Sequence, residues 1–237
     1  MAALPRILRA DDCLRCEIRP SSLFCNLSPS ALADYNSIGL LEKVPIRTIL
    51  FREDDPGVRV LVICAGRAKL SCESQLGRIL NLKLAMSGDV LGLSAVLSGK
   101  TYESTAETIE TTYLKVISKG EFLGFLARQA EAGLHAAQRL SEDYRLALQS
   151  ARRLALSGSA LGKIAGILLD WGRAASCGRT EMRFIMAMSH DDLAEFAGTS
   201  RETVSRSLAS LQKNKTIAIH GATIRILMPS KLAALAA

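Results

Sequence analysis

The stretch SHDDLAEFAGTSRETVSRSLASLQKNK, residues 189–215, constrains this chain more tightly than any other part of its sequence. Ser189 stands three residues before Asp192, the spacing of a capping box, so a helix is expected from there to about Phe196. Leu193, Ala194 and Ala197 form its inner face. Gly198 follows, where a left-handed backbone turn is required. Thr199 or Ser200 caps a second helix with Val204, Leu208 and Leu211 turned inward. The small residue at 194, the glycine at 198 and the β-branched residue at 204 together permit the tight crossing of a helix-turn-helix.

The outward face of that second helix carries Arg201, Glu202, Ser205 and Arg206, with Ser200 and Thr203 beside them. Arginine pairs with guanine O6 and N7, glutamate accepts from cytosine N4, and serine reaches a base or a phosphate. Lys213, Lys215 and Arg225 extend the positive surface and suit phosphate contacts. The formal charge of +7 agrees with an acidic partner. A solvated amphipathic helix would show a charged wet face too, but turn, caps and face point together to double-stranded DNA.

Elsewhere the chain changes texture twice. A short helix is expected over residues 28–41, with Ser28-Pro29 as cap and first turn. Short β-type runs then follow at residues 48–51, 59–64, 68–71, 79–84, 104–107 and 113–117. Glycines at 57, 66, 77, 88, 92 and 99 punctuate them, the pattern of an all-β barrel or roll. Residues 130–156 read as one long helix, on which Ala137, Leu140, Tyr144, Ala147, Ala151 and Leu154 recur every three or four positions. Such a stripe packs either on its own domain or, coiled-coil fashion, on a second copy. Ser157-Gly158-Ser159 is a break, and beyond it come a helix at about 160–174, the two short helices above, and a hairpin through His220-Gly221-Ala222. The expected organisation is a cysteine-containing segment at 1–27, a β-roll sensor at 28–129, a dimerisation helix at 130–156 and a winged helix-turn-helix at 157–237.

The run TSRETVSRSLASLQ resembles the recognition helix of the cyclic-AMP receptor protein / fumarate-nitrate reduction regulator (Crp/Fnr) superfamily of bacterial transcription factors. FREDDPGVRVLVICAGRAKL, followed by a turn at Gly77 and GDVLGL, is similar to that superfamily's β-roll, and Arg183–Ser189 matches the text before its helix-turn-helix. The resemblance spans nearly the whole chain and is closer to the Fnr-like branch. It implies an α+β fold: a cyclic-nucleotide-binding-like β-roll, a long dimerisation helix and a C-terminal winged helix-turn-helix. It further implies a homodimer on a palindromic site, with RNA polymerase as a protein partner. Glu202, Ser205 and Arg206 match the base-reading positions of the oxygen-sensing branch, and Arg201 the additional arginine of the cyclic-AMP branch, which gives a TGA-like half-site core.

Two signals suggest themselves for the sensor. Cyclic AMP is not expected, because Glu103 stands where the cyclic-AMP pattern has its arginine and a carboxylate repels a phosphate, although Gly88-Asp89, Gly92 and Lys100 are present. Cys13-x2-Cys16 with Cys25 resembles the N-terminal cluster of oxygen-sensing members, which hold a [4Fe–4S] cluster, and soft thiolates suit that ligand. The gap to Cys25 is longer than the family's, and its fourth cysteine falls near Leu114-Lys115. Cys64, Cys72, Asp11, Asp12 or Glu17 could complete the set, though Cys64, Cys72 and Cys177 read first as small buried apolar side chains. A zinc site, a thiol switch and an effector-independent or small-ligand-responsive regulator without any cluster stay open.

Rival classes find less support. The sequence has no phosphate-binding loop, nucleophile elbow or H-E-x-x-H site, and its three histidines, His135, His190 and His220, read as surface polar residues, so no enzyme is expected. No secretion signal or span of ~20 apolar residues is visible, which predicts a cytoplasmic protein that does not enter the membrane.

Overall fold

The computed structural model describes residues 13–16, 19–22, 24–176, 181–186 and 188–236; Asp11, Asp12, Glu17 and Cys177 lie outside them. The chain divides into two compact units, one of Met1–Cys72 and Lys83–Arg145, the other of Glu73–Leu82 and Leu146–Ala237. The fold is the expected α+β arrangement of a β-roll, a long helix and a winged helix-turn-helix.

In the first unit, 3-10 turns at Cys13–Arg15 and Arg19–Ser21 precede α1, Pro29–Ser37, which opens with proline in its first turn. The helix expected to reach residue 41 stops at Ser37, and Leu40–Val44 forms strand β1 instead. Gly39 causes the change: its φ is +69°, and a Cβ there would stand 2.5 Å from the Val116 carbonyl oxygen. The chain therefore turns back into a ladder rather than continuing as helix.

The remaining roll strands are β2 (Ile49–Phe51), β3 (Arg59–Ala65), β4 (Ala68–Glu73), β5 (Ile79–Ala85), β6 (Val90–Leu91), β7 (Thr105–Thr108) and β8 (Thr112–Ser118). They make two four-stranded sheets, in the orders β1-β8-β3-β6 and β2-β7-β4-β5. Strand β3 is buried on both faces, and its side chains alternate between two cores. Val60 and Val62 join Phe24, Leu32, Tyr35, Phe122 and Phe125, while Leu61 and Ile63 join Phe51, Leu91, Tyr102 and Leu114. Between β6 and β7 lies α2, Leu93–Ser98, which the sequence reading did not separate from its flanking turns. After the roll come α3, Lys119–Arg128, opened by a Ser118/Glu121 capping box, and α4, Ala130–Leu156.

Helix α4 carries two apolar faces. Ala132 and Ala136 are buried in the core of Tyr35 and Phe125, with Leu140 packed against it. A different stripe, Leu134, Ala137, Ser141, Tyr144, Leu148, Ala151 and Ala155, is exposed and recurs at alternating steps of three and four. Of the expected seam, then, Tyr144 (67 % exposed) and Ala151 lie on the outward stripe, whereas Leu140 leans inward.

The second unit holds α5 (Ala160–Ser176), β9 (Met182–Ile185), α6 (His190–Ala197), α7 (Arg201–Lys213), β10 (Ile217–His220), β11 (Thr223–Ile226) and α8 (Pro229–Ala236). The expected hairpin is present and gains a third strand, in the order β10-β11-β9. Trp171 of α5 meets Phe184 of β9 and Phe196 of α6 edge to face, with ring centroids 6.2 and 5.3 Å apart. Gly172 lets α5 press onto β11, since a Cβ there would stand 2.4 Å from Ile226 Cδ1.

Candidate nucleic-acid interface and sensor cysteines

The crossing of α6 and α7 is built by local chemistry. Ser189 caps α6: its Oγ accepts from the Asp192 backbone N–H at 3.1 Å, and the Asp192 carboxylate accepts from the Ser189 N–H at 2.9 Å. Gly198 closes α6 at φ 59°, ψ 46°, with its N–H donating to the Ala194 carbonyl. Ser200, rather than Thr199, caps α7 by accepting from the Thr203 N–H at 3.3 Å. Leu193, Ala194, Phe196 and Ala197 from α6 are buried, as are Val204, Ser207, Leu208 and Leu211 from α7. The turn depends on backbone sign rather than space, because a Cβ on Gly198 would meet only Leu154 Cδ2, at an ordinary 3.5 Å. Gly198→Ala is expected to cost ~1–2 kcal/mol, the penalty of a left-handed non-glycine residue, and Gly198→Asn less. Thermal unfolding of the two variants checks this.

Arg201, Glu202 and Arg206 stand exposed on α7, with Thr203 and Ser205 half-buried between them and Lys213 exposed at the helix end. The group is loosely organised. Arg206 Nη2 donates to Thr203 Oγ1 at 3.3 Å, and Arg201 lies 3.9 Å from Asp191 with both side chains open to water. The Glu202 carboxyl is held below the usual range by the backbone N–H at the helix start and by Ser200, so it stays ionised and acceptor-only. Lys215 holds a positive φ of 53° at the turn into β10, and Arg225 on β11 pairs loosely with Glu181 at 3.5 Å. One further residue joins this face: His190 Nδ1 stands 2.9 Å from Ser205 Oγ. Its position at a helix start marked it as a surface group, and nothing in the sequence showed the contact.

On the sensor side, four charged groups interlock. Arg139 of α4 reaches Asp89 at 2.9 Å and Asp143 at 2.7 Å, while Lys83 reaches Asp143 at 2.8 Å and Asp89 at 3.6 Å. Arg139 and Asp89 are each only 13 % exposed. Burial pushes the Asp143 carboxyl upward, and the two cations beside it more than reverse that, leaving it below its usual range. Glu103 is exposed, whereas its neighbour Tyr102 is buried, stacked on Phe51 at 4.0 Å and donating to the Arg59 carbonyl at 2.8 Å.

Cys13 and Cys25 pack against the core of Phe24 and Tyr35, and the Cys25 N–H donates to Ser22 Oγ at 3.3 Å. Burial pushes the Cys25 thiol up to about 11, opposed by the Ser22 hydrogen bond and reinforced by Cys13 and Cys16. Cys64 on β3 is raised to about 12 by burial, then by Cys25, Cys13 and Cys16. Cys72 answers instead to burial and to Glu53. The same neighbourhood holds Lys115, 6 % exposed, whose Nζ donates to the Tyr35 carbonyl at 2.7 Å and lies 4.2 Å from the centre of its ring. Where the family's fourth cysteine was expected, the chain therefore carries a buried cation, and Cys64 lies on the neighbouring strand β3. Among the described residues no three His, Cys, Asp or Glu side chains are gathered so as to hold one metal ion. Nor is any helix among them long and apolar enough to cross a membrane.

Two family models match, a cyclic nucleotide-binding domain over residues 41–129 and a Crp-like helix-turn-helix domain over residues 162–235. The transcriptional activatory protein AadR of Rhodopseudomonas palustris is 27 % identical over 223 residues, covering 94 % of this chain and 92 % of its own. The nitrogen fixation regulation protein FixK of Bradyrhizobium diazoefficiens is 28 % identical over 229 residues, covering 95 % and 94 %. The structure of FixK2 from Bradyrhizobium japonicum superposes with a TM-score of 0.76 at 21 % identity, over 84 % of this chain and 98 % of that one, and shows the shared fold. Matching models at both ends, regulators similar over almost the full length and a capped helix-turn-helix lead to one conclusion: the chain is a DNA-binding transcriptional regulator, not an enzyme, and belongs to the Crp/Fnr superfamily.

Proposed function

We propose that this regulator works as a homodimer on a palindromic operator with a TGA-like half-site core, and that it answers a redox, oxygen or nitric-oxide type signal. The observation that carries the DNA part is the outward row of Arg201, Glu202, Ser205 and Arg206 above the buried Val204, Leu208 and Leu211. Thr203 and Ser200 shape the start of that row, and Lys213 supplies a phosphate contact at its end.

Dimerisation is supported by the outward stripe of α4. An unbroken three-four repeat over residues 134–155 suits a coiled-coil seam with a second copy, with Leu134, Tyr144 and Leu148 as its largest members. Leu148→Glu puts two carboxylates into that seam and is expected to weaken the dimer at least about tenfold, read by sedimentation. A monomer-dimer constant unchanged by this substitution removes the seam.

For the signal, three cysteines within thirteen residues, Cys13, Cys16 and Cys25, carry the soft thiolates that suit an iron–sulfur cluster, with Cys64 or Cys72 as candidates for the fourth thiol. A cluster bound there would supply the chemistry that reacts with oxygen or nitric oxide. The chain's own part is to present the thiols beside α1 and to keep a buried cation, Lys115, next to them. Only a difference in stability between two states of the dimer carries such a signal to the recognition helices. A second reading, a regulator that works without a cluster, is favoured by the burial that raises the Cys25 and Cys64 thiols and so disfavours the thiolate a cluster needs. Iron and acid-labile sulfide, measured with the visible spectrum on protein purified without oxygen, decides between them. Stoichiometric iron and sulfide that bleach in air support the cluster, and a colourless iron-free protein leaves the second reading.

A further inference from the structure

His190 is the first residue of α6 and Ser205 lies in the second turn of α7, yet Nδ1 of one and Oγ of the other stand 2.9 Å apart. A serine inside a helix can turn its hydroxyl back to the carbonyl four residues earlier. Here the imidazole holds it from outside the helix. The neighbouring cations lie against other groups, Arg206 donating to Thr203 at 3.3 Å and Arg201 loosely facing Asp191 at 3.9 Å.

The consequence follows from hydrogen-bond capacity. A serine hydroxyl has one hydrogen to give and two lone pairs to receive. A neutral imidazole protonated on Nε2 can only accept at Nδ1, so the Ser205 hydrogen goes to His190 and only lone pairs are left for anything else. We propose that His190 is a specificity-determining positioning residue, which fixes Ser205 as a hydrogen-bond acceptor so that it reads an exocyclic amino group on the DNA. Glu202 suits cytosine N4, which leaves adenine N6 for Ser205. The Nε2–H, at the start of α6, donates to the phosphate beside that base, and this contact keeps the tautomer that the relay needs. Phosphate, His190, Ser205 and adenine then form one directed chain of hydrogen bonds. The inference rests on the proposal that α7 faces base edges.

The test uses the full-length protein and a palindromic duplex with two TGA half-sites about one helical turn apart. Each adenine of the half-site, on either strand, is replaced in turn by purine, which lacks the 6-amino group, and the ratio of dissociation constants is read. Wild type is expected to lose about five- to tenfold at one of the two adenines, the worth of one such bond. Ser205→Ala and His190→Leu should bind the adenine and purine duplexes within twofold of each other. His190→Asn, whose amide oxygen can accept from Ser205, should restore most of the ratio, and an unchanged melting midpoint shows that the variants are folded. Full discrimination in His190→Leu, with Ser205→Ala blind, overturns the positioning role and leaves Ser205 as a base reader. If Ser205→Ala discriminates like wild type, or wild type discriminates at neither adenine, the assignment of Ser205 to a base edge fails, and this inference fails with it.

Discussion

Arg206→Gln is expected to weaken binding to a TGA-cored palindrome by ~1–3 kcal/mol per half-site while leaving affinity for random DNA little changed. Arg206 is exposed on α7 and donates to the neutral Thr203 hydroxyl, so its guanidinium carries no opposing charge there and can fork onto a guanine. Glutamine keeps the length and some hydrogen bonding but loses the charge and the fork. Fluorescence anisotropy on the palindrome and on a scrambled duplex separates the two effects, and an operator affinity within twofold of wild type would remove Arg206 from the base-reading set. Lys213→Gln should behave differently. It should lower affinity for both duplexes alike and reduce the slope of log affinity against log salt by about one per protomer, because a phosphate contact releases counterions without reading sequence.

Arg139→Met is expected to destabilise the β-roll unit by ~3–5 kcal/mol. The substitution preserves much of the side chain's volume but leaves Asp89 and Asp143, both largely enclosed, with Lys83 as their one remaining cation among the described residues. A loss under 1 kcal/mol in urea unfolding would mean that solvent screens the group as it does an ordinary surface pair. The network also sets an acid limit. Asp143 is held below its usual carboxylate range when folded, so its contribution is complete above the unfolded value and disappears as pH falls through the folded one. Wild type should therefore lose stability through that acidic window, and Arg139→Met, already lacking most of the contribution, should lose less.

The helix-turn-helix was legible in the sequence because its determinants are local: two serine caps, one left-handed glycine and a three-four apolar repeat within twenty-odd residues. Strand β1 was not, since Leu40–Val44 sits on an edge and its partner, β8, lies some seventy residues away. Helix α2 announced itself only through Gly92 and Gly99, which sequence alone reads as two turns. On α4 the apolar repeat was visible, but a helix with two apolar faces gives the same spacing for both, so Leu140 could be assigned outward when it leans into the roll. The sensor was the least legible. The buried ammonium of Lys115 on the Tyr35 carbonyl and the quartet around Arg139 both come from side chains far apart in the chain.

The aromatic residues divide the molecule in a way an optical experiment can use. The one tryptophan, Trp171, sits edge-on against Phe184 and Phe196 in the unit that contains α5–α8, whereas all four tyrosines, Tyr35, Tyr102, Tyr113 and Tyr144, belong to the other. Light absorbed by tryptophan alone thus reports the melting of the DNA-reading half, and tyrosine emission reports the sensing half. Arg139→Met should shift the tyrosine transition and spare the tryptophan one, and Gly198→Ala should do the reverse. Tryptophan and tyrosine emission thus give each unit its own optical signal, with no label added.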